Sequence, residues 1–337
     1  MTSIKTVAKK AGVSTATVSR VVNGNYYVSP ETKQKVEDTI KELNYYPNML
    51  ARSLKNDTTY TIGYVVSDIS NDYFTSALKK IENVANERDY NVIVCSTDNK
   101  KERELSCLKM LMSKKVDGLI INTTGYNDDF IVEISKNTSV VLIERRITNE
   151  NFCGDFIGYD NFASMSSLTK HLLSLGHRRI GVINGLMTLV NSKERFEGVV
   201  AAAKDYGLPD ENIIRYDGDN TVHSGFEAAK HFLGLEHKPT VIIAMNNSML
   251  IGALKYARLH GVAIPEDVSI AVYGNIDNPE ILYTMPTCLY CDATVTGSKS
   301  VEALLQRIEH RENQTNKEVV LVPQLQISES IRAWVGD

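Results

Sequence analysis

Ile4-Lys5-Thr6-Val7-Ala8-Lys9-Lys10-Ala11-Gly12-Val13-Ser14-Thr15-Ala16-Thr17-Val18-Ser19-Arg20-Val21-Val22-Asn23-Gly24 reads as two short helices around a tight turn. Ser3 precedes the first helix as its cap, Gly12 sits where the chain must turn, and Ser14 precedes the second helix. Val7, Ala8, Val13, Val18, Val21 and Val22 recur at helical spacing, so the two helices can bury a small common core. The outer face of the second helix is then left with Thr15, Ala16, Thr17, Ser19 and Arg20. These are small polar groups and one guanidinium, a set suited to phosphates and base edges. A helix-turn-helix lays its second helix in the major groove of DNA, N-terminal residues against the bases.

Working outward, Ser29 and Pro30 open a third helix over Glu31 to Leu43, with Val36, Ile40 and Leu43 inward. Pro47 follows, and Asn48 to Lys55 is long enough for two further helical turns. A segment so short is marginal as an isolated helix in water. The charge is divided unevenly. Residues 1–57 carry nine basic and five acidic side chains, whereas the remaining 280 carry a net −8. A small basic module on an acidic body is the footprint of a binder that touches DNA with one part of its surface. No leader-like stretch and no apolar run near 18 residues occurs, and five irregularly spaced cysteines fit a reducing compartment. A cytoplasmic, nucleoid-associated protein with no membrane partner is expected. Cys288 and Cys291 form a lone Cys-x-x-Cys pair at a strand and turn, too little for a metal site, and no cofactor is expected.

The order VAKKAGVSTATVSRVVNG, then VSPETKQKVEDTIKELNYYPN, then LARSL resembles the lactose-repressor family of bacterial transcription regulators. The resemblance runs along the whole chain. It implies a helix-turn-helix domain over 1–46, a hinge helix over 47–58 and an effector-binding, dimerising core over 59–337. The fold class implied is an all-α DNA-binding domain plus an α/β two-lobed core like the periplasmic binding proteins, built on parallel sheets. By the same resemblance, the DNA contacts are Thr15, Ala16 and Arg20 at the bases, with Thr17, Ser19, Asn23 and Tyr45 on the backbone. In the hinge, Asn48, Ala51, Leu54 and Lys55 meet the minor groove, and Leu54 wedges between base pairs and kinks the operator. The partners implied are pseudo-palindromic double-stranded DNA, a small-molecule effector and a second copy of the chain, as a homodimer or a tetramer.

From Thr59 onward short β-branched runs alternate with amphipathic segments. Strands are expected over Thr61–Val66, Asn91–Ser96, Gly118–Asn122, Val140–Glu144, Arg179–Asn184, Thr240–Met245, Val268–Val272 and Val319–Val322. Repeated βα units imply parallel sheets covered by helices, and the length calls for two lobes. The family pattern places them at about 59–160 with 292–322, and 161–291 with 323–337. Ligands bind where such sheets present their carboxyl ends. Candidates there are Asn71, Tyr73, Phe74, Glu144, Asp160, Asn191, Arg195, Asn220, Asn247 and Asn275.

Three positions depart from the family's pattern. Asn247 replaces a carboxylate, Gly274 replaces the aspartate that grips sugar hydroxyls, and Asn220 stands where an aromatic often stacks on the ligand. With two negative charges gone and Arg195 retained, the effector is expected to be a small anionic carbohydrate, a sugar acid or sugar phosphate. No Walker loop, Gly-x-Ser-x-Gly or His-Glu-x-x-His occurs, and the seven histidines lack metal spacing. The rival to a regulator is a two-lobed solute receptor or enzyme whose N-terminal helices hold another protein.

Overall fold

The computed structural model describes residues 3–23, 26–45, 58–276, 278–310 and 315–335. Two units are distinct, Met1–Thr59 and Tyr60–Asp337. In the first, α1 (Ile4–Ala11), α2 (Thr15–Asn23) and α3 (Pro30–Glu42) surround one core. Ser3 Oγ accepts from the Thr6 amide and Ser14 Oγ from the Thr17 amide at 3.1 Å, filling donors that a helix start leaves open. Gly12 ends α1 at φ 64, a left-handed value that a side chain would strain. Val7, Ala8, Ala11, Val18, Val36 and Tyr45 are buried together, with Val13, Val21, Val22, Ile40 and Leu43 packed against them. The hinge expected over 47–58 lies outside the described residues apart from Thr58.

The second unit holds two six-stranded sheets. Along the chain its elements are β1 (Thr61–Val66), α4 (Asp72–Asn86), β2 (Asn91–Ser96), α5 (Lys101–Ser113), β3 (Gly118–Ile121), α6 (Asp128–Ser135), β4 (Ser139–Ile143) and β5 (Asp155–Tyr159). There follow α7 (Asn161–Ser174), β6 (Ile180–Asn184), α8 (Val190–Asp205), β7 (Ile213–Asp217), α9 (Val222–Leu233), β8 (Val241–Ala244), α10 (Asn247–His260) and β9 (Ser269–Tyr273). The chain closes with β10 (Thr287–Tyr290), α11 (Ala293–Glu309), β11 (Glu318–Leu321) and β12 (Gln324–Gln326). The first sheet runs β11-β5-β4-β3-β1-β2 and the second β12-β10-β9-β8-β6-β7. All pairings are parallel except β10 with β12, where Leu289 faces Leu325.

The chain passes from one sheet to the other three times. It leaves β5 for α7, returns from β10 through α11 to β11, and goes back at Pro323 to β12. Because every parallel strand points its carboxyl end the same way, each sheet offers a row of loop residues at one edge. The apolar faces are covered as such sheets require. Ile62, Tyr64, Ile120 and Leu304 lie in one cluster of the first lobe, and Leu108, Leu119 and Ile131 in another. In the second lobe, α9 and α10 approach backbone to backbone, since a Cβ on Gly225 would stand 2.0 Å from the Met249 carbonyl. Among the described residues, no helix is long and apolar enough to cross a membrane.

Candidate functional site

On the N-terminal unit, Thr15, Ala16 and Arg20 are exposed, and Thr17 and Ser19 are half-buried on α2. The Thr17 hydroxyl lies 2.9 Å from Ser14 Oγ at the start of the helix. Tyr45, expected at the DNA backbone, has its ring turned into the unit's interior. It is 9% exposed and belongs to the core, because the aromatic ring after α3 closes an otherwise small apolar cluster. The side chain of Asn23, and all of Asn48, Ala51, Leu54 and Lys55, lie outside the described residues. Tyr26 and Tyr27 carry no signal at the sequence level, yet stand exposed beyond α2, with the Arg20 guanidinium 5.5 Å over the Tyr26 ring.

In the two-lobed unit, the carboxyl ends of the strands enclose a cavity of about 230 Å³. Asn71, Tyr73, Phe74, Glu144, Asn191, Arg195, Asn220, Asn247 and Asn275 line it. Asp160 does not, which corrects that expectation. Its carboxylate instead caps α7, accepting from the Ala163 amide at 2.9 Å. An aspartate immediately before a helix meets unpaired amides closer at hand than any ligand. Not among those candidates, but also in the lining, are Asn99, Asn122, Arg145, Tyr273 and Cys291. The signal was available: Tyr273 is the last residue of its strand, and the other four sit in the loop that follows one.

Polar contacts across the cavity fix its shape. Asn71 and Asn247 exchange two amide hydrogen bonds, each side chain donating Nδ2 to the other's Oδ1 at 3.0 Å. Asn71 opens α4 of the first lobe and Asn247 opens α10 of the second, so this pair joins the lobes directly. The Tyr73 hydroxyl donates to the Glu144 carboxylate and lies 2.9 Å from the Thr296 hydroxyl. Glu144 itself sits at φ 59 at the end of β4. Burial pushes its carboxyl above the usual range, against the opposing pull of the Tyr73 hydrogen bond and of Arg195 and Arg145.

Two guanidiniums stand near it. Arg195 donates Nε to Asn161 Oδ1 and a terminal nitrogen to the Met245 carbonyl, both at 2.8 Å. Its central carbon lies over the Tyr273 ring, 3.5 Å from the ring centre. Arg145 is buried and donates to the Thr123 carbonyl at 2.8 Å. Burial, with the neighbouring Arg195 charge, pulls it down to about 10. The Asn99, Asn122, Asn191 and Asn275 amide oxygens and the Tyr273 hydroxyl are buried without a hydrogen-bond partner. Asn122 donates Nδ2 to the Ile143 carbonyl at 3.0 Å, which turns its oxygen to the other side.

Residues 3–48 match the model of bacterial regulatory proteins of the lacI family, and residues 59–330 match that of periplasmic binding proteins and the sugar binding domain of the LacI family. The chain belongs to the LacI family. The HTH-type transcriptional repressor PurR of Actinobacillus pleuropneumoniae serotype 3 (strain JL03) is 33% identical to it over 333 residues, 98% of this chain and 99% of that protein. The lac repressor dimer bound to operator and the anti-inducer ONPF is similar at 25% identity and a TM-score of 0.82, covering 98% of this chain and 99% of that one. A LacI family regulator from Enterococcus faecium with bound ribose is 27% identical, with a TM-score of 0.74, over 81% of this chain and 99% of its own. This LacI-family chain is therefore a helix-turn-helix transcriptional repressor with an effector-binding core, and its relatives are repressors, not enzymes.

Proposed function

We propose that two copies of this repressor hold a pseudo-palindromic operator, and that a small, neutral, hydroxyl-rich ligand between the lobes controls their grip. Each copy places Thr15, Ala16 and Arg20 in a major groove, the exposed set on α2. The dimer follows the operator-bound relative, and light scattering of the operator complex distinguishes it from a tetramer. It works in the cytoplasm, on nucleoid DNA.

The observation that carries the ligand reading is the set of four partnerless amide oxygens around one cavity. A buried acceptor without a donor costs free energy until a donor reaches it. Hydroxyl groups supply donors at short spacing on a compact frame, and the ring of such a molecule can lie against Phe74. The relative with bound ribose supports a carbohydrate of this size. The anionic sugar expected from the sequence fits less well. Its oxygens would face acceptors and the Glu144 carboxylate, while Arg195 and Arg145 already have donors engaged by the protein.

A thermal-shift panel of neutral sugars, sugar acids, sugar phosphates and nucleobases tests this. Saturation at a hundred times the dissociation constant stabilises the folded state by about 2.7 kcal/mol, several degrees for a core of this size. A neutral sugar should give the largest shift, reduced in Asn275→Ala. A larger shift from a sugar phosphate or a nucleobase overturns the proposal.

A further inference from the structure

We propose that Tyr26 is a positioning residue for base recognition: its ring supports the flat face of the Arg20 guanidinium and leaves the N–H edge free for a guanine. This rests on the reading of Arg20 as a base contact. The contact is an exposed one. Tyr26 is 71% exposed and its neighbour Tyr27 88%, on a unit whose other aromatic described residue, Tyr45, is buried. Large aromatic rings are placed on a surface at a cost in exposed apolar area, which a binding role explains.

The geometry separates two ways of holding an arginine. A carboxylate would occupy the in-plane N–H groups, the same groups that pair with O6 and N7 of guanine. An aromatic face takes the guanidinium from above and leaves all five donors available. Among the described residues, no carboxylate lies within ion-pair distance of Arg20, and the Tyr26 ring centre is 5.5 Å from its central carbon. Arg20 lies at the C-terminal end of α2, where a long unsupported side chain would sample many rotamers and lose that freedom on binding. The ring narrows the choice before DNA arrives. It arrives from the segment between α2 and α3, so it holds the side chain from outside the recognition helix.

The same segment could instead send the Tyr26 hydroxyl to a phosphate, and the two roles read out differently. A phosphate contact weakens all sequences alike and lowers the salt slope. A positioned arginine affects one base pair. The experiment uses the full chain, DNA sites selected by it from a random library, and the variants Tyr26→Leu, Tyr26→Phe and Arg20→Ala. Arg20→Ala first identifies the base pair in each half-site whose preference it relaxes. Tyr26→Leu should then lower discrimination at that pair about two- to fivefold per half-site, the range of an exposed cation–π contact, with other positions and the salt slope unchanged. Tyr26→Phe should keep wild-type discrimination, and Tyr26→Leu should add nothing in an Arg20→Ala background. Unchanged discrimination in Tyr26→Leu overturns the proposal, as does Tyr26→Phe losing as much as Tyr26→Leu. An unchanged logo for Arg20→Ala overturns the reading of Arg20 itself, a separate result.

Discussion

Replacing Asn247 by alanine removes both hydrogen bonds that tie Asn71 to the opposite lobe. Each oxygen also takes a local amide, Asn71 Oδ1 from Tyr73 at 3.1 Å and Asn247 Oδ1 from Ser248 at 3.0 Å, but Asn71 is the cap of its helix and Asn246, not Asn247, caps α10, so Asn247 is the better of the two to change. Neutral hydrogen bonds contribute roughly 0.5–1.5 kcal/mol each, and this pair is only half-buried, so the two together are worth about 1–2 kcal/mol. They exist only when the lobes are together, so their loss falls on the closed form, whereas the local Ser248 contact is lost from open and closed forms alike. The closed-to-open ratio should drop about five- to thirtyfold, and effector affinity should fall with the closed fraction. Asn247→Asp sharpens the test. It still accepts from Asn71 Nδ2, but turns a second oxygen, with no proton, against Asn71 Oδ1, so it should open the cleft at least as far as alanine does. Distance distributions between labels on the two lobes report the ratio directly, with titration of the effector alongside. If Asn247→Asp closes as the unaltered chain does, the pair is incidental and this reasoning fails.

Three further outcomes are expected. His177 has no exposed surface, bonds Thr240 Oγ1 and the Arg332 carbonyl, and is held by burial down to about 4, against an ordinary 6.5. The unfolded chain therefore binds the proton first as pH falls, and stability should drop by about 2 kcal/mol from pH 7.5 to 5 on this account, a slope that His177→Gln should flatten in urea midpoints. Gly274 lines the cavity at φ 94, a backbone value that a side chain strains, so Gly274→Asp should cost roughly 1–3 kcal/mol, seen as a lower urea midpoint; an unchanged midpoint would show that the loop relaxes. Leu54→Ala, from the family resemblance, should weaken specific binding sharply while weak electrostatic binding stays; circular-permutation gel shifts showing equal bending would make Leu54 a plain linker.

Much of this fold can be read from the chain because its strands are short runs of β-branched and apolar residues. The buried Thr61–Val66 and the edge strand Asn91–Ser96 are both found at their expected bounds. The strands that escape are of other kinds. Ile213–Asp217 is an edge strand with two charged residues among five, Gln324–Gln326 is three residues long, and Asp155–Tyr159 contains an aspartate and a glycine. In the last of these the aspartate is tolerated because Asp155 accepts from Arg307 at 2.6 Å and from the Lys317 amide at 2.8 Å. Such a partner lies 152 residues away in sequence and leaves no local trace. The cavity follows the same division. Residues at strand ends can be nominated one by one, but the Tyr273 face that carries Arg195 and the empty side of the Asn122 amide depend on contacts between elements far apart in the sequence of each lobe.

Asn247 shows how far a local reading can mislead even at the right position. Taken alone, an amide in place of a carboxylate is a lost negative charge, and a lost charge points to a more anionic ligand. Paired with Asn71, the same amide is half of a self-complementary contact, each group giving one N–H and one carbonyl oxygen. A carboxylate at either position would leave two acceptors facing each other, whatever the ligand carried. The charge that matters to the ligand therefore sits elsewhere, on Glu144 and the two guanidiniums beside it. The substitution at 247 acts on how the lobes meet.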